Sequence, residues 1–434
     1  MTWLANGCYL LAGLVYAPVL AYQMLFQAKN RTGWRQRFGH VPLRTAKRPC
    51  IWVHAVSLGE VNASRLIVAR LRAGVPHADV VVSSTTDTGF ARARELYPDQ
   101  LVFRFPLDFS WVIRRVLRRI RPDLIVLMEL EVWFNLVTLA ARQGVQVCVV
   151  NGRFTQRSSE RLRMLGPLVR SMFEPLAWVG AQTPEIAQRF ASHGVDPQRI
   201  DVVGSLKWDS AGVSDHVDGA PVLAEALGLD RSVPLIVLGS SGPGEEELLF
   251  DVWRELTLRI ETALAVVPRK PERFEEVAQF LRRNGQRVVR RSEAPDGCQP
   301  PGAGSASRLI LGDTLGELRK FYDLADVIVV GRSLVPMGGS DPMEAAAIGR
   351  PLIVGSHTEN FAEPVDRLAR AGALLVVRNR RELLEKLLAL LMNSEQRQEM
   401  GQRGQATVVQ NQGATQRTME RLVGLFNECM SSRR

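Results

Sequence analysis

Metal-binding and disulfide frameworks are the first things this sequence lacks. Its five cysteines, Cys8, Cys50, Cys148, Cys298 and Cys429, are scattered without CxxC spacing. An odd, dispersed set of that kind points to reduced thiols in a cytosolic setting. The six histidines are equally dispersed, with no HxxxH or Cys/His cluster, so no metal site is expected. Neither a GxGxxG dinucleotide fingerprint nor a GxxxxGK[ST] P-loop occurs, which argues against dehydrogenases and kinases built on those loops. No repeat of solenoid period is present. Disorder is excluded as well, because 46% of the residues are hydrophobic and 23% charged, and 434 residues suffice for two domains with separate cores.

What is there begins with charge. The formal net charge of +10 suits an acidic partner: nucleic acid, anionic lipid or a phosphorylated substrate. Part of the excess lies in WVIRRVLRRIRP (Trp111 to Pro122). This reads as a short helix with arginines on one side and Val112, Val116, Leu117 and Ile120 on the other. That face is either solvated or turned to anionic lipid.

From Thr2 to Gln27 there is no charge at all, and Lys29, Arg31, Arg35 and Arg37 follow directly. About 20 apolar residues cross a bilayer, and positive flanks stay cytoplasmic. A cleaved signal would carry its positive charge first and a small-residue cleavage site afterwards, and neither feature is present. Asn6, Tyr9, Pro18, Tyr22 and Gln23 dilute the apolar stretch, so a helix lying in the membrane interface is the other form of anchor. Either way, a single-pass or in-plane N-terminal anchor with the bulk of the chain in the cytoplasm is expected.

After the anchor, short apolar runs alternate with helical patterns. The first half contains IWVHAV, DVVVSSTT, LVFRF, DLIVLMEL, VQVCVV, WVGAQT and IDVVGS; the second contains PLIVLGS, ALAVVPR, QRVVRR, RLILGD, VIVVGR, PLIVGS and ALLVV. Continuous apolar strands separated by helices mark parallel sheets covered on both faces. The expected fold class is α/β, with a doubly wound domain present twice. The expected division is an anchor (1–28), a first domain (29–208), a Gly/Ser/Asp-rich linker (209–231), a second domain (232–404) and a final helical segment (405–434). EAPDGCQPPGAGSAS, from Glu293 to Ser307, reads as a long surface loop.

Three stretches sit where strands give way to helices, the rim on which open parallel sheets bind ligands. In RSLVPMGGSDPME, Gly338 and Gly339 precede a helix start at Pro342, with Glu344 just inside. The glycines either make a tight turn or let a phosphate approach free N–H groups. Glu344 either complements the helix dipole or accepts from a ribose diol. In HAVSLGEVNASRL, Ser57, Gly59 and Glu60 open a helix, and Glu60 is either a first-turn carboxylate or a general base. In MELEVWFN, Glu129 and Glu131 end an apolar strand, where a carboxylate costs desolvation. Strand alternation would turn them to opposite faces, leaving open which one serves a site. Arg153, Lys207 and Arg269 are cations at other strand ends.

In this order the stretches resemble the 3-deoxy-D-manno-octulosonic acid (Kdo) transferase family. The resemblance is carried by WVHAVSLGE, PLDFSWVIRRVLRRIRPDLIVLMELEVWFN, NGRFTQRS, VGSLKWD, VPRKPER, LGDTLGEL, GRSLVPMGGSDPMEAAAIGRPLIVG, HTENF and NQGATQR. It implies a GT-B fold of two domains facing across a cleft. It also implies transfer of Kdo from CMP-Kdo to the glucosamine disaccharide of a lipid A precursor, at the cytoplasmic face of the inner membrane. No cofactor and no nucleic-acid partner is implied. Carried over by motif, Glu60 is the proton acceptor, and Glu129 or Glu131 with Lys207 stabilise the transition state. Ser57 and Arg153 lie on the acceptor side. The nucleotide sugar is held by Pro268, Arg269, Leu315, Gly316, Glu317, Gly338, Gly339, Asp341, Pro342, Met343 and Glu344.

The family pattern usually has histidine at Gly242, Lys270 and Ser340, glycine at Arg332 and asparagine at Asp341, and ELEVWFN replaces the usual ETELWPN. Those departures admit two alternatives: a GT-B transferase using another nucleotide sugar, or a catalytically silent membrane-bound binding protein.

Overall fold

The structure is a computed structural model that describes residues 2–26, 32–164, 166–284, 287–297 and 309–431. Each of the fourteen apolar runs contains a strand, and the strands form two sheets of seven. The chain divides into two compact units, residues 1–210 with 412–434, and residues 211–411.

In the first unit the strands are β1 (Cys50–His54), β2 (Asp79–Ser84), β3 (Val102–Arg104), β4 (Leu124–Met128), β5 (Gln146–Gly152), β6 (Trp178–Ala181) and β7 (Ile200–Val202). They pair in parallel in the order β3-β2-β1-β4-β5-β6-β7. Alternate residues serve opposite faces, as the pleat requires. Trp52, Ile125, Leu127, Val147 and Val149 pack on one side; Ile51, Val53, Val126, Cys148 and Val150 pack on the other. The second face is completed by the helix Ala414–Ser431, which adds Ala414, Met419, Leu422, Leu425 and Phe426.

In the second unit the strands are β8 (Leu235–Ser241), β9 (Ala263–Pro268), β10 (Val288–Arg290), β11 (Leu309–Leu311), β12 (Val327–Val330), β13 (Leu352–Val354) and β14 (Leu374–Val376). Their order is β10-β11-β9-β8-β12-β13-β14, again parallel. Ile236, Leu238, Leu264, Val266, Val327 and Val329 pack with Leu249, Phe250, Trp253 and Leu256 of the helix Glu245–Leu256. The doubly wound reading therefore holds in both halves.

The segment 209–231 is packed: Ala220–Ala226 is a helix with Ala220, Leu223, Ala224 and Ala226 buried, and the Val217 N–H donates to the buried Asp323 at 2.9 Å. Its polar groups find partners far along the chain, which composition alone could not show. Residue 405 lies inside the helix Ser394–Asn411, and the chain turns at Gly413, whose φ of 92° suits glycine. Asp209 secures that turn by accepting from the N–H groups of Gly413 and Thr415.

The N-terminal helix Thr2–Phe26 is long and apolar enough to cross a membrane by length and composition, and most of it is exposed. Its first turns are docked on the first unit. Asn6 is buried, accepts from the Ser110 N–H (3.0 Å) and the Asn135 amide (3.1 Å), and donates to the Ser110 hydroxyl (2.9 Å). The arginine-rich stretch forms the helix Ser110–Ile120, whose apolar side is buried. Arg115 and Arg119 bond to the carbonyls of Phe38 and Val41, leaving Arg114 and Arg118 exposed. Lys29, Arg31 and Cys298 lie outside the described residues, as do residues 298–307 of the expected surface loop.

Candidate active site

A doubly wound sheet opens a crevice where successive connections leave a strand in opposite directions. By strand order this point lies between β1 and β4 in the first unit and between β8 and β12 in the second. Backbone strain gathers at the same places. Among the described residues five non-glycines have positive φ, and four of them, Glu129 (56°), Asn151 (54°), Ser240 (56°) and Arg332 (61°), lie at or just beyond the carboxyl ends of β4, β5, β8 and β12. Such conformations persist only where surroundings enforce them, and they concentrate at functional sites.

In the first unit, the loop after β1 ends in the helix Leu58–Gly74. Ser57 caps this helix, its hydroxyl oxygen accepting from the Glu60 N–H at 3.3 Å. The Glu60 carboxylate closes a capping box, accepting from the Ser57 hydroxyl and the Val56 N–H, each at 2.9 Å. These bonds fix the carboxylate in one orientation at the rim, and each oxygen keeps a second lone pair.

The premise that Glu129 and Glu131 alternate along a strand is corrected. β4 ends at Met128, and the left-handed turn at Glu129 takes both residues out of the pleat. Both then sense Glu60. Burial pushes the Glu129 carboxyl up, Glu60 adds to this, and Arg153 and Lys207 oppose it. Glu131 is pushed up to about 7, by burial first and by Glu60 and Glu129 in addition, against the bond that Trp133 Nε1 donates to it at 2.9 Å. The structure thus brings Ser57, Glu60, Glu129, Glu131, Arg153 and Lys207 to one crevice. Three carboxylates and two cations can exchange a proton there and offset charge developing nearby.

Two buried residues behind this cluster have no role in the sequence reading. Asn151 accepts from the Leu206 N–H at 3.1 Å, tying the loop that carries Lys207 to the end of β5. His54, stacked on Phe105 at 3.8 Å, is pushed down to about 3 by burial and stays neutral. Both lie inside the quoted motifs, WVHAVSLGE and NGRFTQRS, which is the only signal that could have flagged them.

In the second unit, Pro268 ends β9, and the exposed Arg269 follows, its N–H bonded to the Ser241 carbonyl at 3.2 Å. Arg269, Asp341 and Glu344 all act electrostatically on the buried Tyr322, so the structure gathers them. The expectation for the glycines is revised. Gly338 and Gly339 both have φ of 81°, and an added Cβ would meet Asn360 at 2.2 Å or the Thr358 backbone at 3.2 Å. The Gly339 N–H already donates to the Arg332 carbonyl at 2.7 Å. The helix Met343–Ala347 is short, and Asp341 caps it by accepting from the Met343 N–H at 2.8 Å, with Pro342 and Met343 buried. Tight packing and capping therefore account for this turn first. Glu317 is likewise occupied: Arg291 donates to it twice (2.8 and 3.0 Å), and Thr314 and Lys320 once each, holding it down to about 2. What its loop offers a ligand is the exposed Leu315 and the backbone at Gly316.

Glu245 was also outside the sequence reading. Fully buried, it accepts four backbone N–H groups, those of Gly242 (2.9 Å), Arg332 (2.5 Å), Ser333 (2.9 Å) and Leu334 (2.9 Å). It staples the loop after β8 to the loop after β12.

Residues 32–210 match the family model for 3-deoxy-D-manno-octulosonic-acid transferase (kdotransferase). The Bordetella pertussis 3-deoxy-D-manno-octulosonic acid transferase is 36% identical over 438 residues, covering 96% of this chain and 99% of its own length. This chain belongs to the 3-deoxy-D-manno-octulosonic acid (Kdo) transferase family. The Haemophilus influenzae transferase is 30% identical, with 86% of each chain covered. As a Kdo-transferase family member the protein is a glycosyltransferase of lipopolysaccharide biosynthesis, with a sugar donor and an acceptor as its general partners. Among solved structures, a glycosyltransferase from Rickettsia africae matches with a TM-score of 0.55 at 13% identity, covering 89% of this chain and 99% of its own. The UDP-GlcNAc 2-epimerase from Neisseria meningitidis matches with a TM-score of 0.54 at 14% identity, covering 87% and 100%. At such identities these matches show the fold alone, which is the GT-B type in this Kdo-transferase family member.

Proposed function

We propose that the protein moves Kdo from CMP-Kdo to the glucosamine disaccharide of a lipid A precursor, with Glu60 as general base. The observation that carries this reading is the cluster of Glu60, Glu129, Glu131, Arg153 and Lys207 at the β1/β4 crevice. In an inverting transfer the acceptor hydroxyl gives its proton to the Glu60 carboxylate while its oxygen bonds to the anomeric carbon. The bond from that carbon to the phosphate oxygen breaks, and CMP leaves with the electron pair. Lys207 and Arg153 offset the negative charge that passes from acceptor to leaving group, and Glu131, titrating near 7, supplies a carboxyl that can hold or release a proton at neutral pH. The first unit, within 29–208, is the acceptor side, with Ser57 and Arg153 against the acceptor. The second, within 232–404, is the donor side, with Pro268, Arg269, the Leu315–Glu317 loop and the Gly338–Glu344 turn around the nucleotide. The test is transfer to a lipid A precursor with CMP-Kdo generated in place. A folded, membrane-bound protein that transfers nothing from this donor would sink the reading.

The anchor reading places the protein on the cytoplasmic face of the inner membrane. The docking of Asn6 favours the in-plane form. The helix from Leu10 to Phe26, along which Leu10, Leu14, Val19, Tyr22 and Phe26 are exposed, is roughly 25 Å at helical rise, short of the roughly 30 Å hydrocarbon core. Thr32, beyond its far end, is bonded to Arg104 of the same unit. In spheroplasts of a Cys8→Ser background, a Thr2→Cys variant is expected to react with an impermeant maleimide only after lysis. Labelling of intact spheroplasts would show a spanning helix.

A further inference from the structure

We propose that Arg332 recognises an anionic oxygen group of the sugar nucleotide, either its phosphate or the carboxylate of its acidic sugar. The inference deepens the donor reading above and rests on it.

Position comes first. Arg332 lies two residues past β12, and Gly242 follows β8 directly, so the two flank the crevice of the second sheet. The backbone comes second. With φ of 61°, Arg332 holds a conformation that glycine enters freely and side-chain-bearing residues enter at a cost. It is held there from both ends: its N–H donates to Glu245 at 2.5 Å, and its carbonyl accepts from Gly339 at 2.7 Å.

The side chain comes third. Its stem lies over Gly242, where an added Cβ would come within 3.4 Å of Arg332 Cγ and 2.5 Å of Met337 Sδ. The guanidinium donates to the Met337 carbonyl at a long 3.3 Å, and among the described residues no carboxylate lies within ion-pair distance of it. Glu245, the acid that touches its backbone, is already taken by four N–H groups. If Arg332 served only to pack on Met337, the strained backbone would bring no return, because glycine fits the same turn. A half-buried guanidinium with unmet donors, at the same strand-end rim as the exposed cations Arg269 and Lys270, is suited to a forked bond to phosphate or carboxylate.

The test compares the full-length wild type with Arg332→Gly and Arg332→Lys in three measurements: melting temperature, CMP binding, and donor KM with CMP-Kdo generated in place. Arg332→Gly is expected to melt at or above the wild type, because the left-handed turn is relieved. Its binding is expected to weaken about tenfold or more in one of two ways. Loss of CMP affinity places the contact on the phosphate. Retained CMP affinity with a raised donor KM places it on the sugar carboxylate. Arg332→Lys is expected between the two, with the differences narrowing at high salt. If Arg332→Gly matches the wild type in both CMP affinity and donor KM, the proposal is overturned, as it is if the variant melts lower while binding is unchanged. A wild type that binds no CMP overturns the donor reading itself, and this inference with it.

Discussion

The two switch points share a topology and handle their acids in opposite ways. At the β1/β4 crevice burial, with Glu60 adding to it, raises the proton affinity of Glu129 and Glu131, with Arg153 and Lys207 near Glu129. At the β8/β12 crevice three acids are taken up by the protein: Glu245 holds four N–H groups, Glu246 pairs with Arg273 at 2.6 Å and accepts from Ser241, and Asp341 accepts from the Met343 N–H. The cations Arg269, Lys270 and Arg332 are left with no carboxylate within ion-pair distance among the described residues. On the proposed reading, one crevice moves a proton and the other receives an anion. A shared fold decides where chemistry occurs, and the pairing of side chains decides which chemistry it is.

The largest expected effect tests the acid side. Glu60→Gln should lower transfer by about 10²- to 10⁴-fold, the usual worth of a positioned base. Its stability cost should stay near 1 kcal/mol, since only a capping box is weakened. Activity retained within a few-fold would leave Glu60 as a cap and break the contrast between the crevices.

Next in size is the staple. Glu245→Ala should destabilise the protein by about 3 kcal/mol, because buried N–H groups lose their acceptor. Denaturant unfolding would measure this, and CMP binding should weaken with it as the loop carrying Arg332 relaxes. Full CMP affinity in a destabilised variant would separate the staple from the donor site.

The smallest effect is a pH dependence. Because the Glu131 carboxyl is raised from an ordinary 4.5 to about 7, the folded protein binds its proton more tightly than the unfolded chain. That contribution is full below about 4.5 and is lost as pH rises through about 7. Over that interval the wild type should lose melting temperature relative to Glu131→Gln, and parallel curves would show that Glu131 titrates normally.

Read without its tertiary structure, the chain already determines its strands, its doubly wound halves and the strand-end location of its motifs. Buried parallel strands must be written as continuous apolar runs, and open parallel sheets present ligand groups at one rim. The capping box at Ser57 and Glu60 is equally local, closing over three residues. What the sequence could not yield depends on partners far along the chain. Glu129 and Glu131 leave the pleat through a left-handed turn that no spacing announces, and their proton affinity is raised first by burial and then by Glu60, about seventy residues away. Glu317 reads as a ligand group until Arg291 is seen to occupy it. Glu245 reads as one acid in a run of three until the N–H groups of residues 332–334 close on it. Only the folded chain brings such groups within hydrogen-bond reach, and only there does an acid become either a base or a staple.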